Sequence, residues 1–303
     1  MEGFIARRDI CSFTDVRRLS ERSDAKGLVQ LSSHLLALLV SGTLVWWVSG
    51  VWWLLIPAWI VHGILLNFLF CPLHETIHRT AFKARWLNDA VAFVCGFVIA
   101  LPPVWFRYFH YEHHRQTQIE GKDPELAELK PRTVGAFVWY MTGLKSYWWA
   151  MMKGNVNHAL GRVAETFVPE DGKATVVREA RLYLAGYGLV LLGAVVFATW
   201  APFTYWIVPV LLATPFLRLY LLAEHTLLPL TEDMLVNTRT MKTNPAVRWL
   251  AWQMPYHTEH HTFPSIPFHA LHLAYDRIAP RHGALIPGYA AFAVAYWKSL
   301  EHS

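Results

Sequence analysis

Four long apolar runs limit what this chain can fold into. From Leu28 to Val48 there are 21 residues without Asp, Glu, Lys or Arg, and a second uncharged run, Val51 to Leu73, follows the break at Ser49-Gly50. Leu182 to Ala201 and Phe203 to Ala223 repeat the arrangement around Ala201-Pro202. Their one charge, Arg218, stands near the final end, where a long side chain can snorkel to the interface. A helix crosses about 30 Å of hydrocarbon in about 20 residues, with every backbone hydrogen bond satisfied internally. The expected fold is therefore an all-α integral membrane protein of one domain, built on two transmembrane helical hairpins. Composition agrees: 54% of residues are hydrophobic and 16% charged, where soluble domains have roughly 25% charged.

Neither hairpin turn contains Lys or Arg, so the positive-inside rule puts both termini in the cytoplasm. The expected division is a cytoplasmic lead (1–27), the first hairpin (28–73), a cytoplasmic and interfacial part (74–181), the second hairpin (182–223) and a cytoplasmic end (224–303). Together the parts outside the spans form a His-rich helical cap. The lead is polar and does not read as a cleavable signal. Trp86 to Pro103 is apolar but contains Asp89 and ends in Pro102-Pro103. A crossing there would put histidines that belong together on opposite sides of the bilayer, so it reads as interfacial or re-entrant. Thr133 to Met152, with Lys145 among five Trp and Tyr residues, reads as an interfacial amphipathic stretch, and Ala284 to Leu300 as a surface-lying helix. Cys11, Cys71 and Cys95 are dispersed and suggest neither a disulfide framework nor a thiolate metal site. The net charge of +5 is diffuse; it fits anionic lipid head groups, not nucleic acid.

The chemistry lies in the histidines. His74-Glu-Thr-Ile-His78 follows directly on the second apolar run, and His110-Tyr-Glu-His113-His114 has the spacing of His257-Thr-Glu-His260-His261; these clusters hold eight of the sixteen histidines. Residues three or four apart share a helix face, so His74 and His78 can converge on one ion. In His-x-x-His-His the adjacent pair diverges by about 100°, which suits a cluster feeding two neighbouring ions. His225, at the inner end of the last run, offers a ninth imidazole at the same depth. Nine imidazoles exceed the needs of one tetrahedral zinc, so a dinuclear site with open positions is expected; iron is the natural choice where O2 meets an apolar substrate. Glu112, Glu259 and Glu224 are candidates to accept the far N–H of a ligating imidazole. His34, His62, His158, His269, His272, His282 and His302 are expected to be ordinary hydrogen-bonding or interfacial residues. A competing pattern, H-E-x-x-H at His74–His78, is that of zinc metalloproteases with the Glu as base, but it leaves the other two clusters without a role. A non-catalytic metal-binding membrane protein is a further class.

The three clusters, with about thirty residues between the first two and a hairpin before the third, resemble the histidine boxes of the membrane-bound fatty acid desaturase superfamily. His74-Glu-Thr-Ile-His-Arg-Thr-Ala-Phe82, Asn237-Thr-Arg-Thr240 and Met254-Pro-Tyr-His-Thr-Glu-His-His-Thr-Phe-Pro264 are similar to short bacterial desaturases of the rhizobitoxine-desaturase type. The resemblance spans residues 28–298. It implies a cytoplasmic centre of two Fe2+ ions held by His74, His78, His110, His113, His114, His225, His257, His260 and His261, with O2 as co-substrate. It implies a double bond placed in a fatty acyl or lipid chain. Hydroxylation or ketolation of a lipid, carotenoid or sphingoid base, or desaturation of a small amphiphile, are the alternatives. Where some relatives have an Asn one turn before the lone His, this chain has Leu221; Asn237 is the nearest substitute. An apolar channel between the hairpins is expected to take lining from Trp105, Phe106 and Phe109. No fused haem domain is visible, so the electron donor is expected to be separate, a ferredoxin or similar carrier. It would dock on a basic ring of Arg79, Lys83, Arg85, Arg115, Lys122, Arg239 and Lys242. Likeness to bacterial members implies the inner membrane.

Overall fold

The computed structural model describes residues 7–283 and 285–301. Four of its helices are long and apolar enough to cross a membrane: Asp24–Trp47, Trp52–Ile77, Glu170–Val196 and Phe203–His225. The first is capped where Ser23 Oγ accepts from the Lys26 N–H. The third begins at Glu170, well before the expected Leu182, because Pro169 and two acids in its first turn suit a helix N-terminus. The uncharged run therefore marked the apolar stretch and not the whole helix. The second span is interrupted at Phe68-Leu69, and the fourth opens with a π turn, Phe203–Ile207.

The second and fourth spans form the inner pair, with 56% and 50% of their most apolar windows buried, against 17% and 22% for the first and third. Gly63 is what lets the inner pair touch: a Cβ there would stand 1.9 Å from the Pro209 carbonyl oxygen. Around this contact, polar side chains bond backbone carbonyls of neighbouring spans. His34 Nε2 meets Leu65 O at 2.9 Å, His62 Nε2 meets Tyr205 O at 3.0 Å, and Asn67 donates to Val210 O at 2.9 Å. The outer pair turns Leu36, Leu39, Trp46, Leu189, Leu192 and Val195 outward, as lipid-facing helices do.

Arg85–Val98 and Pro103–Gln116 meet at a 98° bend. At the corner the Leu101 N–H bonds Gly96 O at 2.8 Å, a Cβ on Gly96 would lie 2.3 Å from Leu101 O, and Ala100 takes φ +59° before the two prolines. Tyr183 and Tyr187 of the third span donate to Phe93 O and Phe97 O, pinning the first arm. The second arm is thereby turned toward the inner end of the second span, as the shared histidine site requires. The 133–152 stretch is a helix Val134–Thr142, a π turn Leu144–Trp149 and a helix Ala150–Ala159. At the C-terminal end the helix starts at Tyr289, not at residue 284, which lies outside the described residues as does His302. Leu285–Ile286 instead pair in parallel with Thr240–Met241, a two-residue ladder and the one sheet among the described residues.

Candidate metal centre

Each ligand-bearing segment sits next to a left-handed, non-glycine residue. Arg79 (φ +58°) follows His78, Gln118 (φ +61°) follows the second box, Leu227 (φ +62°) follows His225, and Gln253 (φ +58°) precedes the third box. After His78 this is a helix stop: the Arg79 N–H returns to Thr76 O at 3.0 Å. The histidines therefore lie beside breaks, where short helices can be aimed at one point.

All nine predicted histidines do meet. The ligand atoms of His74, His78, His110, His114 and His260 lie within 4.8 Å of one another, as do those of His113, His225 and His261. His257 joins the second group through Nε2, 3.2 Å from His225 Nε2. Both His-x-x-His-His clusters divide as helical geometry demands: His114 and His260 go to one group, His113 and His261 to the other. Eight of the nine rings are under one-tenth exposed, and His78 is partly buried.

The packing of these rings fits metal ions. His110 and His114 face each other Nε2 to Nε2 at 2.9 Å, His114 and His260 at 3.1 Å, and His113 and His225 at 3.3 Å. Two nitrogens each about 2.1 Å from one ion, at a right angle, are about 3.0 Å apart. His78 Nε2, His261 Nε2 and both ring nitrogens of His74 are buried with no hydrogen-bond partner. Buried polar atoms are rarely left so. Burial first, then the neighbouring imidazoles, push His257, His260 and His261 well below the usual histidine range, while burial and Arg107 hold His78 at about 3. These four rings are thus held neutral, as ligation needs, whereas at His113 burial is outweighed by the Glu125 and Asp123 carboxylates, which raise its pKa.

Outside this ring lie groups that fix its orientation. His113 Nδ1 donates to Asp123 Oδ1 at 2.9 Å, His225 Nδ1 to the Asn237 carbonyl at 3.1 Å, and His261 Nδ1 stands 3.3 Å from Thr117 Oγ1. Asp123 was legible only as a turn residue, in Gly121-Lys-Asp-Pro124. The expected carboxylates fare less well. Glu112 points away and pairs with Arg115 at 2.6 Å. Glu259 is buried against Thr240 Oγ1 at 2.6 Å and His282 Nε2 at 2.9 Å, and so braces the third box without touching a ligand ring. Glu224 comes nearest, its Oε1 3.6 Å from His257 Nδ1. Asn237 serves through its carbonyl, its side chain being spent on Thr117 O and Thr231 O. Glu75, the general base of the protease pattern, accepts from the Phe268 N–H at 3.0 Å and braces the fold.

A cavity of about 390 Å³ opens beside the rings, within the range of small-molecule sites. Trp105, Phe106 and Phe109 line it, with Phe70, Leu101, Met151 and Leu221; His74, His110, His113 and His257 form its floor. Its walls come from the inner pair of spans, one from each hairpin, and from residues of the 101–151 stretch between them. Arg218 does not snorkel. It is buried in the cavity wall, paired with Glu128 at 2.5 Å and lying 3.7 Å over the Tyr140 ring. In the basic ring, Lys83, Arg85, Arg115, Lys122 and Lys242 are exposed, but Arg239 is buried and spent on Ala223 O and Thr226 O. Arg79 is tied to Asp89 at 3.2 Å.

Residues 50–293 match the family model described as fatty acid desaturase. The chain belongs to that family. Among curated relatives it is 26% identical over 245 residues to the sphingolipid delta(4)-desaturase DES1 of Drosophila melanogaster, covering 78% of this chain and 68% of the relative. It is 25% identical over 256 residues to the sn-1 oleoyl-lipid 12-desaturase of a Picosynechococcus strain, 77% of this chain and 71% of the relative. The human sphingolipid delta(4)-desaturase/C4-monooxygenase DES2 is 26% identical over 280 residues, 87% and 78% of the two chains. The protein is thus an oxidoreductase of the desaturase family with four membrane-spanning candidates.

Proposed function

We propose that this protein is a membrane-embedded non-haem di-iron oxidase that uses O2 to place a double bond in the acyl chain of a lipid. The observation that carries the reading is the two-lobed ring of nine imidazoles, four of which form the floor of an aromatic-walled cavity. His74, His78, His110, His114 and His260 would hold one ion, and His113, His225, His257 and His261 the other. Bound there, two ferrous ions would supply the reducing equivalents and Lewis acidity that activation of O2 against a methylene C–H bond requires. The protein's own part is placement. Trp105, Phe106, Phe109 and Leu221 exclude water and hold an apolar chain against the rings, while Asp123 and the Asn237 carbonyl keep ring N–H groups turned away from the ions. Arg218, Glu128 and Lys130 give the cavity a polar side for a substrate head group. The whole chain is one domain, with residues 74–181 and 224–303 on the cytoplasmic side of a bacterial inner membrane and both termini cytoplasmic. A separate carrier of ferredoxin type delivers electrons, met by exposed Lys83, Arg85, Lys122 and Lys242.

The test is the lipid profile of cells expressing the wild type beside a His260→Ala/His261→Ala variant. A loss of two hydrogens in one acyl pool, absent in the variant, supports desaturation. A gain of one oxygen moves the reading to hydroxylation, the second reading, which the human relative's double name favours. Identical profiles with a supplied electron donor would count against both.

A further inference from the structure

The protons around His113 can be counted. Its Nδ1–H goes to Asp123 Oδ1 at 2.9 Å, and the other oxygen of Asp123 accepts the Gln118 N–H at 2.8 Å. Ligation of a metal requires a neutral imidazole, which has one N–H, so a ligating His113 presents its lone pair at Nε2. His225 is fixed in the same way, since the carbonyl oxygen facing its Nδ1 can only accept. His113 Nε2 then faces three-fold electron density: His225 Nε2 at 3.3 Å, with His257 Nε2 a further 3.2 Å on, and Glu125 Oε2 at 3.4 Å. With His113 and His225 neutral, as ligation requires, no proton is left to place between His113 Nε2, His225 Nε2 and Glu125 Oε2. Buried acceptors at such spacing repel one another unless a cation sits among them. Donors about 2.1 Å from one ion lie about 3.0 to 3.4 Å apart as the angle opens from square to tetrahedral.

We propose that Glu125 is an oxygen ligand of the second ion, so that this lobe is closed by four imidazoles and one carboxylate. The inference rests on the di-iron reading above. The lobe of His74 has five imidazoles and that of His113 only four, so Glu125 gives each lobe five protein donors. Its placement is built into the chain. Asp123 caps the short turn Pro124–Ala127 by accepting the Glu125 N–H at 2.9 Å, so the carboxylate that orients His113 also starts the turn that carries Glu125. Lys130 Nζ stands 3.5 Å from Glu125 Oε1, which leaves Oε2 for the ion. Two divalent ions among neutral rings put four positive charges in a buried site, and one carboxylate relieves part of that cost. Glu125 and His113 both line the cavity, so this oxygen ligand lies on the substrate side.

The experiment compares full-length wild type, Glu125→Gln, Glu125→Ala and Lys130→Gln, each loaded with ferrous iron and checked by size-exclusion chromatography and thermal melting. Iron per chain is followed under a chelator challenge, with Mössbauer spectra of the reduced protein. In folded Glu125 variants one of two ions should be lost at least about 100-fold faster, more than loss of an outer-sphere partner typically costs, and one ferrous doublet should change. Lys130→Gln should keep both ions, because Glu125 Oε2 remains. Wild-type retention and spectra in both Glu125 variants would overturn the proposal, as would equal iron loss in Lys130→Gln. A wild type that holds fewer than two ions under any loading would instead sink the di-iron reading itself.

Discussion

Asp123→Asn tests the outer sphere of the second ion with almost no change in volume. The carboxylate is fully buried and accepts three hydrogen bonds: from His113 Nδ1 at 2.9 Å, the Gln118 N–H at 2.8 Å and the Glu125 N–H at 2.9 Å. An Asn has one oxygen and one NH2. With its oxygen at the Oδ1 position, His113 and Glu125 stay satisfied and the NH2 confronts the Gln118 N–H. Turned over, it confronts both His113 Nδ1–H and the Glu125 N–H. Either way at least one buried donor loses its partner, at about 1–3 kcal/mol. Loss of the charge weakens ring basicity, and such outer-sphere changes typically cost about 10–100-fold in metal affinity, or about 1.4–2.7 kcal/mol. His113 belongs to only one lobe, so only one of two ions should weaken. Iron retained per chain during a ferrozine challenge measures this directly. Asp123→Asn protein that keeps both ions as wild type does, or sheds both at one rate, would refute the reasoning.

Other perturbations separate the parts. His225→Ala should leave the protein inserted but reduce iron to about one ion per chain and abolish turnover; full loading and full activity would remove His225 from the site. Gly63→Ala forces a Cβ against the backbone of Pro209, so its melting temperature should fall by more than that of Gly135→Ala, where nothing lies within 4 Å; overpacking of this kind costs about 1–3 kcal/mol. Phe109→Ala removes a ring stacked 5.4 Å from Trp105 on the cavity wall, and should change which acyl lengths react while iron content stays at the wild-type value. Lys83→Glu with Lys122→Glu should raise the KM for a reduced acidic carrier at low salt and do little at high salt; an unchanged KM at low salt would move carrier docking elsewhere.

How much of this was legible in the sequence follows from the range of each interaction. The boxes were legible because three- and four-residue spacing is a property of a single helix, and the division of His113 from His114 and of His260 from His261 follows from the 100° step alone. The spans were legible because length and apolarity are local. The outer sphere was not. Glu112 and Glu259 share the same sequence context beside a His-His pair, yet one pairs with Arg115 at the surface and the other is buried against Thr240. Only the elements packed around each box distinguish them.

Composition and spacing therefore determined that the chain is a bundle of membrane helices with nine imidazoles on one side of it. Tertiary structure decided what those imidazoles meet. The 98° corner at Gly96-Leu101 turns the second box onto the first, the Gly63–Pro209 contact sets the inner pair of spans, and Arg218 turns inward to Glu128 instead of out to the interface. Asp123 and Glu125, in a loop whose sequence reads only as a turn, come to face His113. Helical periodicity acts within a few residues and is written in the chain, whereas the partner of a buried charge is chosen by what packs against it from elsewhere in the fold.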